Sequence, residues 1–171
     1  MGVRRETYLD LGGFSEMRFG EDIDFSTRIF KSGARCRLFP EAWVWHKRRT
    51  DLKKFFKQVH NSGIARINLT KRHPGTLKLV HLLPAAFTLG LALLLLAAPL
   101  CPWSLLPIGV FAVLIGTDAA LRERSLKVGL IAIAAALVQL TGYGTGFLRA
   151  WWQRCVQGKG EFEAFRKNFY K

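Results

Sequence analysis

Between Leu79 and Thr117 the chain carries no Asp, Glu, Lys or Arg. A membrane span needs about 20 apolar residues. Pro99-Leu100-Cys101-Pro102 interrupts the run near its middle, so it fits two spans joined by a tight turn. Pro84 falls in the first turn of the first span, where proline is tolerated, and Trp103 sits at the turn as an interfacial aromatic would. Arg122, Glu123, Arg124 and Lys127 form the next polar loop, and Val128 to Leu148 is again uncharged. Gly142, Gly144 and Gly146 in this third segment suggest close helix packing or a break. The expected membrane region is 79–150, with spans near 79–98, 103–121 and 128–148.

The remaining residues are strongly basic, and the formal net charge is +14. Such a balance suits nucleic acid or an anionic membrane surface. The apolar segments favour the membrane, and no RNP-type, zinc-finger or helix-turn-helix signature is present. Membrane lipids are therefore an expected partner and nucleic acid is not. By the positive-inside rule, Lys71, Arg72 and Lys78 place the preceding soluble part in the cytoplasm, on a multi-pass protein of the cell inner membrane. Two spans return the 122–127 loop to that side. A third sends Arg149, Arg154, Lys159, Arg166 and Lys167 outside, against the rule. Either the tail is an exception or the glycine-rich segment is re-entrant; three spans is the preferred reading. Cys36, Cys101 and Cys155 are far apart and odd in number, which argues against a disulfide framework or a C-x-x-C metal site. Met1 to Arg5 lead into Glu6 and Thr7 rather than an apolar stretch, unlike a signal peptide. Glu6 also stands where a myristoylation signal wants Ser or Thr.

Within this basic chain, Gly20-Glu21-Asp22-Ile23-Asp24 places three carboxylates in four positions. Asp22 to Lys31 reads as a helix, with Ile23, Phe25, Ile29 and Phe30 apolar and Ser32-Gly33 as its stop. Acids at its N-terminus are favoured by the macrodipole. That accounts for one or two of the three carboxylates. Upstream, Val3 to Leu9 reads as a short strand running into a helical turn, broken by Gly12-Gly13-Phe14. Downstream, Arg35 to Phe39 and Ala42 to His46 read as strands around the turn Pro40-Glu41.

The ordered set Arg4-Arg5-Glu6, Gly12-Gly13-Phe14, Gly20-Glu21-Asp22-Ile23-Asp24, Arg28, Gly33 and Pro40-Glu41-Ala42-Trp43-Val44-Trp45-His46 resembles the C-terminal half of a GT-A fold glycosyltransferase of family 2. The resemblance covers roughly residues 3–75. It implies an α/β fold: a partial GT-A domain, the acceptor-side half, over residues 1–51, followed by the all-α membrane region of about three transmembrane helices. It implies that Asp22 is the catalytic base, taking the proton from an acceptor hydroxyl, with Glu21 positioning the acceptor and Asp24, Gly13 and Phe14 beside it. A positioned carboxylate makes a poor sugar nucleophile competent. His46 resembles a histidine that helps hold a divalent metal, Mg²⁺ or Mn²⁺, on the donor diphosphate. The family further implies inverting transfer from a nucleotide-sugar donor to a lipid-linked or glycan acceptor. The nucleotide-binding half and its D-x-D motif are absent from the sequence. Asp22-Ile23-Asp24 matches that pattern literally, but in the context of the acceptor-side acids. Donor and metal binding are thus expected only in a complete domain, with an upstream glycosyltransferase half as partner.

Residues 52–78 read as a basic amphipathic helix and linker at the membrane interface. Leu52, Phe55, Phe56 and Val59 lie at i, i+3, i+4 and i+7, with Lys53, Lys54, Lys57, Arg66, Lys71 and Arg72 on the polar side. The resemblance makes Gln58 and Arg66 acceptor-binding candidates; the full Q-x-x-R-W motif of processive synthases is absent. Residues 151–171 read as an amphipathic tail, with Trp151-Trp152 interfacial and Phe162, Phe165, Phe169 and Tyr170 among charges. The alternative to an enzyme is a non-catalytic membrane anchor or interaction module from a split or decayed gene. A transporter fits poorly, because the spans hold no charge beyond Asp118 near an end.

Overall fold

The computed structural model describes residues 2–17, 19–45 and 51–161. Its main elements are α1 (Arg5–Asp10), α2 (Glu21–Lys31), α3 (Leu52–Arg72), α4 (Leu83–Ala97), α5 (Leu106–Glu123) and α6 (Leu126–Trp151). Short 3₁₀ turns at Leu79–His81 and Pro102–Leu105 lead into α4 and α5, and a wider π turn, Trp152–Val156, ends α6.

Helix makes up 71% of the structure, and no strand occurs among the described residues, which overturns the α/β expectation. Of the short strand running into a helical turn expected at Val3 to Leu9, the strand does not form; the helical part is α1, which begins at Arg5 after an extended Arg4. Arg35 to Phe39 and Ala42 to Trp45 stay irregular. Alternating aromatic and aliphatic residues make a strand only when a neighbouring backbone takes up their N–H and C=O groups, and a lone hairpin is marginal in water. Among the described residues the local backbone bonds here are the turn contacts Ala42 N–H to Phe39 O and Trp43 N–H to Glu41 O. Leu38, Val44 and Trp45 stand more than four-fifths exposed.

Three helical segments are long and apolar enough to cross a membrane: Leu79–Ala97, Pro102–Glu123 and Leu126–Val156. Their apolar side chains are almost all unburied within the protein, as suits helices facing lipid rather than a protein core. Small residues let them approach one another. A methyl group at Gly129 would lie 2.6 Å from the Gly116 carbonyl oxygen and 2.8 Å from Ala120 Cβ, so α5 and α6 pack backbone to backbone. One at Gly144 would collide with Thr88 Oγ1 and the Pro84 carbonyl of α4. The glycine-rich stretch is therefore a packing face within a continuous helix and not a break.

The most extensive seam joins α3 to the C-terminal part of α6. Methyl groups at Gly63 or Gly146 would strike the Tyr143 or His60 carbonyl oxygen, and one at Gly142 would lie 2.5 Å from Val59 Cγ2. Gly142 and Gly146 are four apart and share a face, the small-x-x-x-small arrangement that brings helices close. Beyond the seam, Ile64, Ile67, Ala85, Phe147 and Ala150 form a buried cluster where α3, α4 and α6 meet. The C-terminal half of α3 is thus covered by protein, whereas Leu52 and Phe56 near its start remain more than a third exposed.

Polar contacts join the end of α3 to the residues that follow α6. In the last turn of α3, Lys71 Nζ donates to the Arg154 carbonyl, and Arg72 makes two 3.0 Å bonds to the Glu161 carboxylate. Arg154 also reaches Glu161 at 3.7 Å and donates to the Lys159 carbonyl at 3.1 Å.

Candidate functional site

Helix α2 begins at Gly20, whose φ of +84° lies in the left-handed region open to glycine. The same residue is tightly placed: a methyl group there would lie 3.2 Å from Leu69 Cδ1 and 3.4 Å from Ala65 Cβ of α3. The glycine therefore sets the start of α2 directly against α3. Glu21, Asp22 and Asp24 all fall in the first turn, where exposed N–H groups favour negative charge.

The three acids then part company. Asp24 is 2% exposed and bonded on both oxygens. Arg28 Nε donates to Oδ2 at 3.0 Å, and His73 Nε2 lies 2.8 Å from Oδ1. Lys31 Nζ stands 3.2 Å from His73 Nδ1. An ammonium only donates, so Nδ1 accepts and Nε2 carries the proton toward Asp24. Burial pushes the Asp24 carboxyl up, but the bonds from His73 and Arg28, with the charge of Arg28, hold it below the ordinary carboxylate value. Arg28 continues to the Gly13 carbonyl at 2.6 Å and the Leu11 carbonyl at 2.5 Å. It thereby pins the glycine loop to α2. Tyr8, Phe14 and the fully buried Phe25 pack beneath, with ring centroids 4.9 to 6.0 Å apart.

Asp24, Gly13 and Phe14, expected beside an acceptor, thus belong to the packing that holds α2 and do not line the cleft described next. A helix seen as a sequence offers two faces to its acids, and Asp24 turns to the inner one because Arg28 and His73 meet it there.

Glu21 and Asp22 turn outward. They line an open cleft of about 770 Å³ together with Phe19, Gly20 and Ile23 on one side and Lys54, Lys57, Gln58, Asn61, Ser62, Ala65, Arg66 and Leu69 of α3 on the other; Tyr143 of α6 also contributes. Asp22 is exposed, and its Oδ1 accepts the Ile23 N–H at 2.9 Å. Arg66 lies beside the Tyr143 phenol, and its Nε is buried without a hydrogen-bond partner. Four of the sequence-derived candidates, Glu21, Asp22, Gln58 and Arg66, therefore share one cleft although up to 45 positions separate them.

Lys54, Lys57, Asn61, Ser62 and Tyr143 were not singled out as site residues. The α3 members recur at i, i+3, i+7 and i+8, a spacing that puts them on one helix face. Tyr143 carries no such signal, because it lies in a segment that reads as membrane span. His46 lies outside the described residues, as do the tail aromatics from Phe162 onward. Among the described residues no group of three or more His, Cys, Asp or Glu is assembled that could hold a metal ion.

A helical assembly with three membrane-competent segments and a two-carboxylate cleft is what the fold and site define. The chain belongs to the family described as Glycosyl transferase family group 2, whose pattern matches residues 1–144. Two curated relatives, each named Pre-mycofactocin glycosyltransferase, come from Mycobacterium tuberculosis strains CDC 1551 / Oshkosh and ATCC 25618 / H37Rv. Each is 39% identical over 72 residues, covering 42% of this chain and 15% of the relative. The chain therefore aligns with only a small part of the length of these relatives. No solved structure matches it significantly.

Proposed function

We propose that this chain supplies the acceptor side of a membrane-bound inverting glycosyltransferase. The observation that carries the reading is the shared cleft: Glu21 and Asp22 on the start of α2 face Gln58 and Arg66 on α3. Asp22 takes the proton of an acceptor hydroxyl as its oxygen attacks the anomeric carbon. The new C–O bond forms as the bond to the donor diphosphate breaks, and the nucleoside diphosphate leaves from the opposite face. Glu21 orients the acceptor, and Gln58 and Arg66 hold it through donated hydrogen bonds. General-base assistance of this kind contributes roughly 10²- to 10⁴-fold.

The nucleotide-sugar donor, and the Mg²⁺ or Mn²⁺ that accompanies it, are assigned in this reading to a nucleotide-binding part other than the described residues. The acceptor is lipid-linked or a membrane-proximal glycan, supported by the three membrane-competent helices packed below the cleft. The basic residues flanking those helices support a cell inner membrane with the cleft on the cytoplasmic side.

The test is transfer. The chain is purified in detergent, alone and extended by the coding region upstream of Met1, and titrated with UDP- and GDP-sugars and Mn²⁺. Donor binding and transfer in the extended form, with transfer lost in Asp22→Asn, is the expected result. Absence of transfer from every form, with an intact fold, would replace this reading with a non-catalytic membrane anchor or interaction module.

A further inference from the structure

A second cationic cluster lies away from the cleft, where the end of α3 meets the residues after α6. Arg72 takes both oxygens of the Glu161 carboxylate at 3.0 Å. Arg154 is left with less: it stands 3.7 Å from Glu161, donates to the Lys159 carbonyl through one terminal nitrogen, and holds its Nε buried without a hydrogen-bond partner. Lys71 donates to the Arg154 carbonyl with one of its three N–H groups. Lys71 and Lys159 are exposed and enter no ion pair among the described residues. Four cations thus gather around the Glu161 carboxylate. The Asp24 charge also reaches Arg72, but its oxygens are bonded to Arg28 and His73. The backbone assembles the cluster. In the π turn Trp152–Val156 the Gln157 N–H reaches back to the Trp152 carbonyl, and Gly158, with a φ of +64°, turns the chain so that Lys159 and Glu161 come back to Arg154. Half-exposed Trp151 and Trp152 stand beside it, at the end of the membrane-competent segment Leu126–Val156. Indole rings next to basic residues at the end of such a segment suit the headgroup level of a bilayer.

We infer that this cluster is a discrete binding site for the headgroup of an anionic phospholipid, one lipid per chain, which bridges the end of α3 to the end of α6. The lipid phosphate supplies acceptor oxygens to Lys71 and Arg154 and offsets the excess positive charge. The paired indoles and the apolar segment beside the cluster favour a lipid over a water-soluble anion. None of Lys71, Arg72, Arg154 and Lys159 lines the cleft, so the site is separate from it and does not rest on glycosyl transfer. A lipid held by both elements stabilises the folded chain, because the unfolded chain has no such site.

Thermal unfolding of the chain in neutral detergent, titrated with phosphatidylglycerol, phosphatidylcholine or glycerol 3-phosphate, tests the site. The expected result is a saturable, salt-sensitive rise in midpoint with phosphatidylglycerol and none with the other two. Lys71→Gln/Lys159→Gln should weaken the apparent affinity about 10-fold or more, and Lys71→Arg/Lys159→Arg should restore it. Lys53→Gln/Lys127→Gln removes the same charge from exposed positions elsewhere and should leave the affinity unchanged. Arg154→Lys keeps the charge but loses the guanidinium fork, and should also weaken binding; it decides the matter if the Lys71→Gln/Lys159→Gln variant melts early without lipid. No saturable rise with phosphatidylglycerol, an equal response to phosphatidylcholine or glycerol 3-phosphate, unchanged affinity in the site variants, or equal weakening in Lys53→Gln/Lys127→Gln would overturn the inference.

Discussion

His73 Nε2 and Asp24 Oδ1 meet at 2.8 Å, although 49 positions separate the two residues. One belongs to the first turn of α2 and the other caps the end of α3. Their bond fixes the angle at which the two walls of the cleft face each other. Removing one partner of a buried pair typically costs about 3 kcal/mol or more. Asp24→Ala should lower thermal stability in detergent by about that amount, and His73→Ala should do so to a lesser degree. Differential scanning calorimetry checks both; a double variant losing no more than Asp24→Ala alone would confirm that they act as one contact.

Asp22→Asn should behave in the opposite way. Its carboxylate is exposed, and among the described residues it bonds its neighbour's N–H. The substitution should leave the unfolding midpoint unchanged while reducing transfer by about 10²-fold or more. A transfer assay and a melting curve on the same preparation give the two readouts.

Gly146→Ala and Gly63→Ala should weaken the α3–α6 seam, because each added methyl group meets a backbone carbonyl that cannot move aside. Overpacking of this kind costs typically about 1–3 kcal/mol. Gly109→Ala, where nothing lies within 4 Å, serves as the control and should be neutral or slightly stabilising. Comparison of the three melting midpoints checks the seam.

His60 sits in that seam, its Nδ1 3.1 Å from Thr145 Oγ1. Burial, and next the charge of Arg149, lower its pKa from the ordinary 6.5. A folded value below the unfolded one means that the unfolded chain binds the extra proton first. The stability His60 contributes is present above about pH 6.5 and declines as the pH falls further. Melting curves between pH 7.5 and 5 should show this decline, and His60→Asn should flatten it.

Much of the helical layout was legible because its signals are local. An uncharged run bounded by charges announces a membrane-competent helix whatever its neighbours do. Leu52, Phe55, Phe56 and Val59 announce α3 by spacing alone. What failed to show depends on partners far along the chain. Trp43-Val44-Trp45 has a strand's composition but finds no backbone to pair with among the described residues. Asp24 looks like its neighbours Glu21 and Asp22 until His73 arrives from the end of α3. Tyr143 looks like a membrane aromatic, yet the close approach permitted by Gly142 and Gly146 carries it to the cleft wall.

The bonds from Lys71 and Arg72 to Arg154 and Glu161 join the two ends of the membrane-competent region. Charged groups paired in this way belong in water or among headgroups, not in hydrocarbon. They tie the residues just ahead of the first membrane-competent helix to those just after the last. One polar knot thus holds the approach to the first segment, Leu79–Ala97, and the exit from the last, Leu126–Val156, together.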